Sequence, residues 1–274
     1  MVEKWRLLDA DLVDPVNGVA TVEAVGIARS KKLVPNTIIF WRPTTAFVCL
    51  GYFQLFREEV FADECEKRGI QIVRRILGGG TGYVDSKQLL YDVVMGSDHI
   101  MIPIASNIDR MYKYVLSGVM QGLREMGFKD VELMPDYNFA IWLNGKKVSG
   151  NAATGLSGAQ VVGGSLLVDF DFETLSRVFR NPFKNLKPGI NNLEEGLTCI
   201  NRELAQRVEL PEVKKAVKTG FEKALRIQLK MGRFIKKETK LIQELVPKFK
   251  SRDWTYGMDL KIDKLMPYEK IDGA

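Results

Sequence analysis

Arg74-Arg75-Ile76-Leu77-Gly78-Gly79-Gly80-Thr81-Gly82-Tyr83-Val84-Asp85 leaves a strand predicted over Gln71 to Arg74 and runs directly into three consecutive glycines. Glycines leave the backbone uncovered, so a phosphate or carboxylate can approach amide N–H groups turned inward as an anion nest. The neighbouring arginines carry charge of the matching sign. Side chains alternate along a strand, so only one of Arg74 and Arg75 is expected to enter a pocket while the other pairs elsewhere. The stretch lacks the Gly-Lys-Ser/Thr of a Walker loop and the Gly-x-Gly-x-x-Gly spacing of a dinucleotide turn, so standard nucleotide folds are not expected. Read alone, it is equally a glycine-rich hairpin beside two solvated arginines.

Outward from this segment, strands are predicted at Thr37 to Trp41, Ala46 to Leu50 and Leu89 to Met95, rich in β-branched or aromatic residues and bounded by breaks. Arg57 to Arg68 has a helical pattern and stops at Gly69. Asn107 to Met126 repeats apolar residues from Ile108 through Val115 to Leu123 with a 3.6-residue period, a clear helix. Further on, Val161 to Phe170 reads as a strand, Phe172 to Phe179 as a short helix, and Pro211 to Ile227 as a helix opened by proline. A last helix is expected from about Glu238 toward Phe249, and Pro182 to Gly196 is the longest loop-like stretch. Strands interleaved irregularly with helices predict an α+β fold with a mixed, largely antiparallel sheet.

A second cluster is Asn144-Gly145-Lys146-Lys147-Val148-Ser149-Gly150-Asn151-Ala152. Asn-Gly tolerates the positive φ angles of a tight turn, so Phe139 to Leu143 and Lys146 to Ser149 are expected to form a hairpin. Alternation places Lys147 and Ser149 on one face, Lys146 and Val148 on the other. A lysine held by a rigid hairpin can supply fixed positive charge where negative charge develops in a reaction, although a lone hairpin lysine is ordinarily solvated.

The chain has 274 residues, 46 % hydrophobic and 27 % charged, which suits one large domain or two modest ones. Forty Lys+Arg against thirty-four Asp+Glu give +6, a mild excess that favours encounter with an acidic partner or phosphorylated ligand. The charges are mostly scattered, so nucleic acid is not an expected partner. Cys49, Cys65 and Cys199 are too few and too far apart for a disulfide framework or metal site, and a single histidine, His99, removes most parts of a metal cage or serine–histidine hydrolase. No apolar run reaches the roughly 18 residues that span a bilayer, and Met1 to Arg6 is unlike a signal peptide, so no membrane and a cytoplasmic location are expected.

Together, at this order and separation, the two clusters resemble the lipoate–protein ligase family. Arg74 through Asp85 is similar to the family's Arg-Arg-x-x-Gly-Gly-Gly-Ala-Val-Tyr-His-Asp, and Gly145 through Ala152 to its Gly-x-Lys-Ile/Val-Ser-Gly-x-Ala. Gly51-Tyr52-Phe53-Gln54, Gly164-Ser165-Leu166-Leu167 and Trp254-Thr255-Tyr256-Gly257 match further family segments, so the similarity runs from Trp5 to about Gly257. The resemblance implies the sheet shared with biotin ligases and class II aminoacyl-tRNA synthetases, as a catalytic domain over residues 1–257. Residues 258–274 would be an extension, with no C-terminal accessory domain.

The resemblance also implies activation of lipoate or octanoate by ATP with Mg²⁺, then transfer from the acyl-adenylate to a lysine of an acidic lipoyl carrier domain, with a small accessory subunit as a possible partner. Lys147 matches the family's essential lysine. Arg74 or Arg75 would bind phosphate or carboxylate, and Gly78, Gly79 and Gly80 would line the acyl and adenylate pocket. By the same matching, Thr81, Tyr83, Asp85, Asn138, Ser149, Gly150 and Ala152 complete the expected substrate and ATP set. No protein-held metal is implied.

Two family histidines are absent: Val84 and Gly163 stand in their places, and Phe139 follows Asn138 where an aspartate is common. These departures point to an altered ligand, acceptor or adenylate contact. The alternatives are an octanoyl or lipoyl transferase working through a cysteine thioester, for which Cys199 is the candidate, and a non-catalytic homologue that binds a lipoyl domain. Biotin ligation is disfavoured because no Gly-Arg-Gly-Arg-type loop occurs. His99 is expected in an exposed loop, Trp41, Trp142 and Trp254 in the core, and Tyr83 and Tyr91 are candidates for the acyl-pocket border.

Overall fold

The computed structural model describes residues 2–99 and 108–265. The chain opens with β1 (Glu3–Val13), α1 (Pro15–Ser30), β2 (Thr37–Pro43), β3 (Phe47–Leu50), α2 (Phe56–Glu59) and α3 (Ala62–Lys67). β4 (Gln71–Arg74), β5 (Gly82–Val84), β6 (Gln88–Gly96), α4 (Ile108–Glu125) and β7 (Val131–Met134) follow. Then come β8 (Ala140–Leu143), β9 (Lys146–Leu156), β10 (Ala159–Leu167), α5 (Phe172–Val178), α6 (Leu193–Gly196) and α7 (Ile200–Glu203). The last elements are α8 (Leu210–Leu225), β11 (Ile227–Met231), α9 (Lys236–Lys250) and α10 (Arg252–Leu265).

Among the described residues, the main sheet runs β11-β1-β2-β6-β10-β9-β8-β7, with β11-β1-β2 parallel and every other pairing antiparallel. A smaller sheet, β4-β3-β5, stands beside it. The mixed, largely antiparallel sheet expected from the sequence is present. Alternation along β6 divides the interior: Leu89, Tyr91 and Val93 pack with α4 and α8, while Leu90 and Val94 pack with α1 and α9. α4 and α8 approach so closely that a Cβ on Gly220 would lie 2.2 Å from the Gly122 backbone nitrogen, which excludes any side chain at that crossing.

Besides α10, which follows the helix expected to be the last, two long elements had no counterpart in the sequence reading. α1 buries eleven of its sixteen residues and therefore shows no polar stripe for periodicity to detect. Its start is nevertheless specified locally: the Asp14 carboxylate accepts from the amides of Val16 and Asn17, and Pro15 occupies the first turn. β1 is the other, an eleven-residue strand paired with β2 and β11. The helix expected over Arg57 to Arg68 is broken at Val60, which forms an isolated bridge with Phe179. Asn107, the expected first residue of the α4 helix, and residues 266–274 of the tail lie outside the described residues.

Candidate active site

β6, β10 and β9 place Asp92, Gly163 and Ala152 side by side in register, and a cavity of about 190 Å³ opens against this row. Its floor is apolar, formed by Val19 and Val22 of α1, Trp41 of β2, Cys49 of β3 and Leu90 of β6, all buried. Asn138, Asn181, Lys184 and Asn185 lie on its exposed side. Lys147 and Gly80-Thr81-Gly82 share its wall.

The glycine turn is held rigidly against the lysine-bearing strand. Gly78 N–H donates to the Ala153 carbonyl at 3.0 Å, and Tyr52 N–H donates to the Leu77 carbonyl at 2.9 Å. Arg75 clamps the turn from within: Nη2 donates to the carbonyls of Gly78 and Gly80 at 2.6 Å each, and Nη1 to the carbonyl of Cys49 at 2.9 Å. Arg75 lines the cavity, yet most of its donors shape the loop.

Arg74 takes the other direction, and the expectation that it binds substrate does not fit its surroundings. It is 1 % exposed and donates to five backbone carbonyls, those of Gly51, Tyr52, Gln54, Trp254 and Thr255. Asp259 of α10 stands 3.7 Å from its Nη2. Arg74 thus stitches the Gly51–Gln54 turn to the C-terminal helix, and strand alternation keeps it out of the cavity that Arg75 enters.

Lys147 sits at the start of β9, its own carbonyl held by the Thr198 N–H at 2.9 Å. Among the described residues no carboxylate stands within ion-pairing distance of its ammonium, and burial with no compensating charge lowers its pKa to about 8. Ser149 departs from the expected shared face. β8 and β9 slip register between Ile141 and Trp142, so the alternation counted from Lys147 fails across the irregularity. Ser149 is fully buried, its hydroxyl 3.0 Å from that of Tyr91, and it does not line the cavity.

Of the remaining expected residues, Gly80, Thr81, Tyr83, Asn138, Gly150 and Ala152 line the cavity, whereas Gly78, Gly79 and Asp85 do not. Among the described residues the buried Thr81 hydroxyl has no hydrogen-bond partner. Tyr83 meets Phe170 edge-on at 5.9 Å. Asn138 adopts a left-handed backbone, φ 56°, and its amide donates to the Asn185 side chain at 2.7 Å. Asp85 accepts from Lys87 N–H at 2.8 Å and holds a turn, with burial raising its pKa. Tyr91 turns to the opposite side of its sheet, into the core beneath α8, where its ring meets Phe221.

Cys199, the cysteine singled out from the sequence, packs 2 % exposed in a core cluster and does not itself line the cavity; Cys49 is the cysteine on the cavity wall. Its thiol lies 3.6 Å from Arg75 Nη1, and burial raises its pKa. His99 is not exposed: at 8 % exposure it meets Trp5 edge-on at 5.4 Å, and burial lowers its pKa. The group the sequence reading passed over is Asp92. Its Oδ2 accepts from Trp41 Nε1 at 2.9 Å, and burial lifts its pKa to about 7 against the pull of that bond and of Arg75. The visible signal was an acid inside the apolar run Leu89 to Met95, because ionisable residues are rarely buried without a reason.

Residues 14–222 match the family model for the lipoyl protein ligase A/B catalytic domain. The chain belongs to that family. Within it, the octanoyltransferase LipM of Bacillus subtilis (strain 168) is 28 % identical, covering 93 % of this chain and 98 % of that protein. LipM of Staphylococcus epidermidis is 27 % identical over 93 % and 99 %. Among solved structures, the bi-partite lipoate protein ligase of Thermoplasma acidophilum, described with its E2 lipoyl domain, is 26 % identical with a TM-score of 0.79, covering 93 % of this chain and 97 % of that one. Lipoate-protein ligase A bound with ATP is 26 % identical with a TM-score of 0.78, covering 94 % and 100 %. Among the described residues of this family member, no helix is long and apolar enough to cross a membrane.

Proposed function

We propose that this protein transfers an octanoyl-type acyl group from a thioester donor to a lysine of a lipoyl carrier domain, with Lys147 supplying positive charge at the reacting carbonyl. The observation that carries the reading is the Lys147 ammonium, without a carboxylate partner among the described residues, on the wall of a cavity it shares with the clamped glycine turn. In the transfer, the carrier lysine's amine attacks the thioester carbonyl, a C–N bond forms, the C–S bond breaks, and the departing thiolate takes the proton the amine gives up. Negative charge gathers on the carbonyl oxygen in between. A fixed cation in a site of low dielectric stabilises that charge. The net charge of +6 suits an acidic carrier.

The charge inventory favours a thioester over a nucleotide. Arg75 is committed to loop carbonyls, Lys184 pairs with Glu59 at 2.5 Å, and Arg74 lies outside the cavity. That leaves Lys147 as the lining cation not already engaged among the described residues, a thin supply for a triphosphate with Mg²⁺ and sufficient for a neutral acyl donor. The likeness to octanoyltransferases supports the same choice. Cys49 keeps its proton through burial, so attack by the carrier amine itself is the simpler route than a Cys49 thioester.

ATP-dependent ligation is the second reading, favoured by the likeness to a ligase bound with ATP. The test is intact mass of a lipoyl domain after incubation with this protein and either octanoyl-acyl carrier thioester alone or octanoate with ATP. Labelling from the thioester, without ATP–pyrophosphate exchange, is expected. Labelling only with ATP would establish ligation, and a requirement for a second chain would show in the same assay. Cys49→Ser should leave transfer intact; its loss would establish the covalent route.

A further inference from the structure

Gly163 and Asp92 face each other across β10 and β6. A Cβ on residue 163 would stand 2.1 Å from Asp92 Oδ1, so any side chain there would occupy the space in front of the carboxylate. With glycine in that place, Asp92 lies on the cavity wall among Trp41, Cys49, Leu90 and Leu77. One oxygen is satisfied by Trp41 Nε1 at 2.9 Å. Among the described residues Oδ1 accepts no hydrogen bond from a side chain and Asp92 forms no ion pair. The nearest cation in charge terms, Arg75, spends its Nη donors on the Cys49, Gly78 and Gly80 carbonyls. A carboxylate in an otherwise apolar floor costs free energy unless something satisfies it.

We propose that Asp92 makes this floor selective for an acyl chain that carries a hydrogen-bond donor, a hydroxyl or a protonated amine, at its far end. The inference rests on the acyl-transfer reading for the direction in which the chain lies. Lys147 precedes Ala152 by five residues along β9, and Ala152 is in the same row as Gly163 and Asp92. Lys147 Nζ lies 3.9 Å from where a Cβ on Gly150 would stand, two residues short of Ala152 along β9 and two strands across from Asp92. Strand rise and strand spacing therefore set the ammonium about 12 Å from the carboxylate, room for a medium-length chain. The end held at Lys147 is the reacting carbonyl. The end that reaches Asp92 is the terminus, and a plain hydrocarbon there leaves Oδ1 unsatisfied. A terminal donor meets it. The two residues that create this feature, Gly163 and Asp92, lie where the sequence departs from its family or interrupts an apolar strand.

The experiment compares octanoyl, omega-hydroxyoctanoyl and omega-aminooctanoyl thioesters of one carrier protein as donors, and separately measures calorimetric binding of the three free acids. A donor-ended chain is expected to exceed octanoyl in kcat/KM and in affinity by about tenfold or more, because a site built to hydrogen-bond rejects the analogue lacking the group. The hydroxyl and amine arms distinguish a neutral from a charged donor. Asp92→Val should reverse the preference, and Gly163→Ala, which fills the space before the carboxylate, should abolish it if the first variant fails to fold. Octanoyl favoured or equal with the unaltered protein, in both transfer and binding, overturns the proposal while leaving acyl transfer standing. Preferential binding of a donor-ended acid with no transfer of any of the three supports the pocket and overturns the transfer reading instead.

Discussion

Gly78 donates its amide proton to the carbonyl of Ala153 at 3.0 Å, which fastens the glycine turn to the strand that carries Lys147. Two segments separated by more than seventy residues are thereby held as one wall. The lysine's position relative to the turn is set by this main-chain contact together with the Arg75 clamp, rather than by any pairing of its own.

Lys147→Ala removes the lining cation and is expected to lower transfer about 10²–10³-fold in kcat, with little change in folding. Lys147→Arg keeps the charge on a broader, planar head and should retain only part of the rate. Single-turnover labelling of a lipoyl domain reads both. A Lys147→Ala protein that labels at the normal rate would remove the role assigned to this residue.

Burial lowers the Lys147 pKa to about 8, so the charge required at the carbonyl is present below that value and disappears above it. The attacking carrier amine must be neutral, and an ordinary lysine amine titrates near about 10.4. So kcat should rise with pH up to about 8 and level off above it, where the growing share of neutral amine offsets the lost Lys147 charge. In Lys147→Arg, which stays charged, the rise should continue to higher pH. An unchanged profile in the arginine variant would assign the ionisation elsewhere.

Asp92 keeps its proton up to about pH 7 in the folded protein, whereas an aspartate in the unfolded chain loses it near 3.8. Between those values the folded state binds the extra proton, so stability falls as pH rises and levels off above about 7. Asp92→Asn abolishes this slope and is expected to be more stable than the unaltered protein at pH 8, by up to about 4 kcal/mol. Urea unfolding at pH 5 and pH 8 measures it, and equal slopes in the two proteins would contradict the assignment.

Arg74 satisfies five carbonyls and faces Asp259, so Arg74→Met leaves buried acceptors and a carboxylate without their donor. A loss of about 3 kcal/mol or more is expected, seen as a lower midpoint in thermal or urea unfolding. A substrate-binding arginine would instead raise KM and leave stability unchanged.

Most elements were legible because their residues alternate or repeat against a polar side: α4, α8, β8 and β6 all appear within a few residues of their expected ends, and β9 begins at Lys146 as expected but runs on to Leu156 rather than stopping at Ser149. α1 was not legible, since a helix buried nearly all round has no polar face to mark its period, and α10, which carries Trp254, follows the helix that was expected to be the last. The candidate site shows the same division. Lys147, Gly80, Thr81 and Arg75 stand out as residue types and spacings, but Asp92, Trp41 and Cys49 belong to strands that read as core.

By itself, then, the order of residues determined the family, the mixed sheet and the two segments that meet across the cavity, because those properties reside in local patterns and short motifs. Tertiary structure alone decided that Arg74 is structural, that Ser149 turns away from Lys147, and that Gly163 uncovers Asp92. Each of these depends on strand register and on contacts between distant segments, and a shift of one position in pairing reverses which side a residue faces.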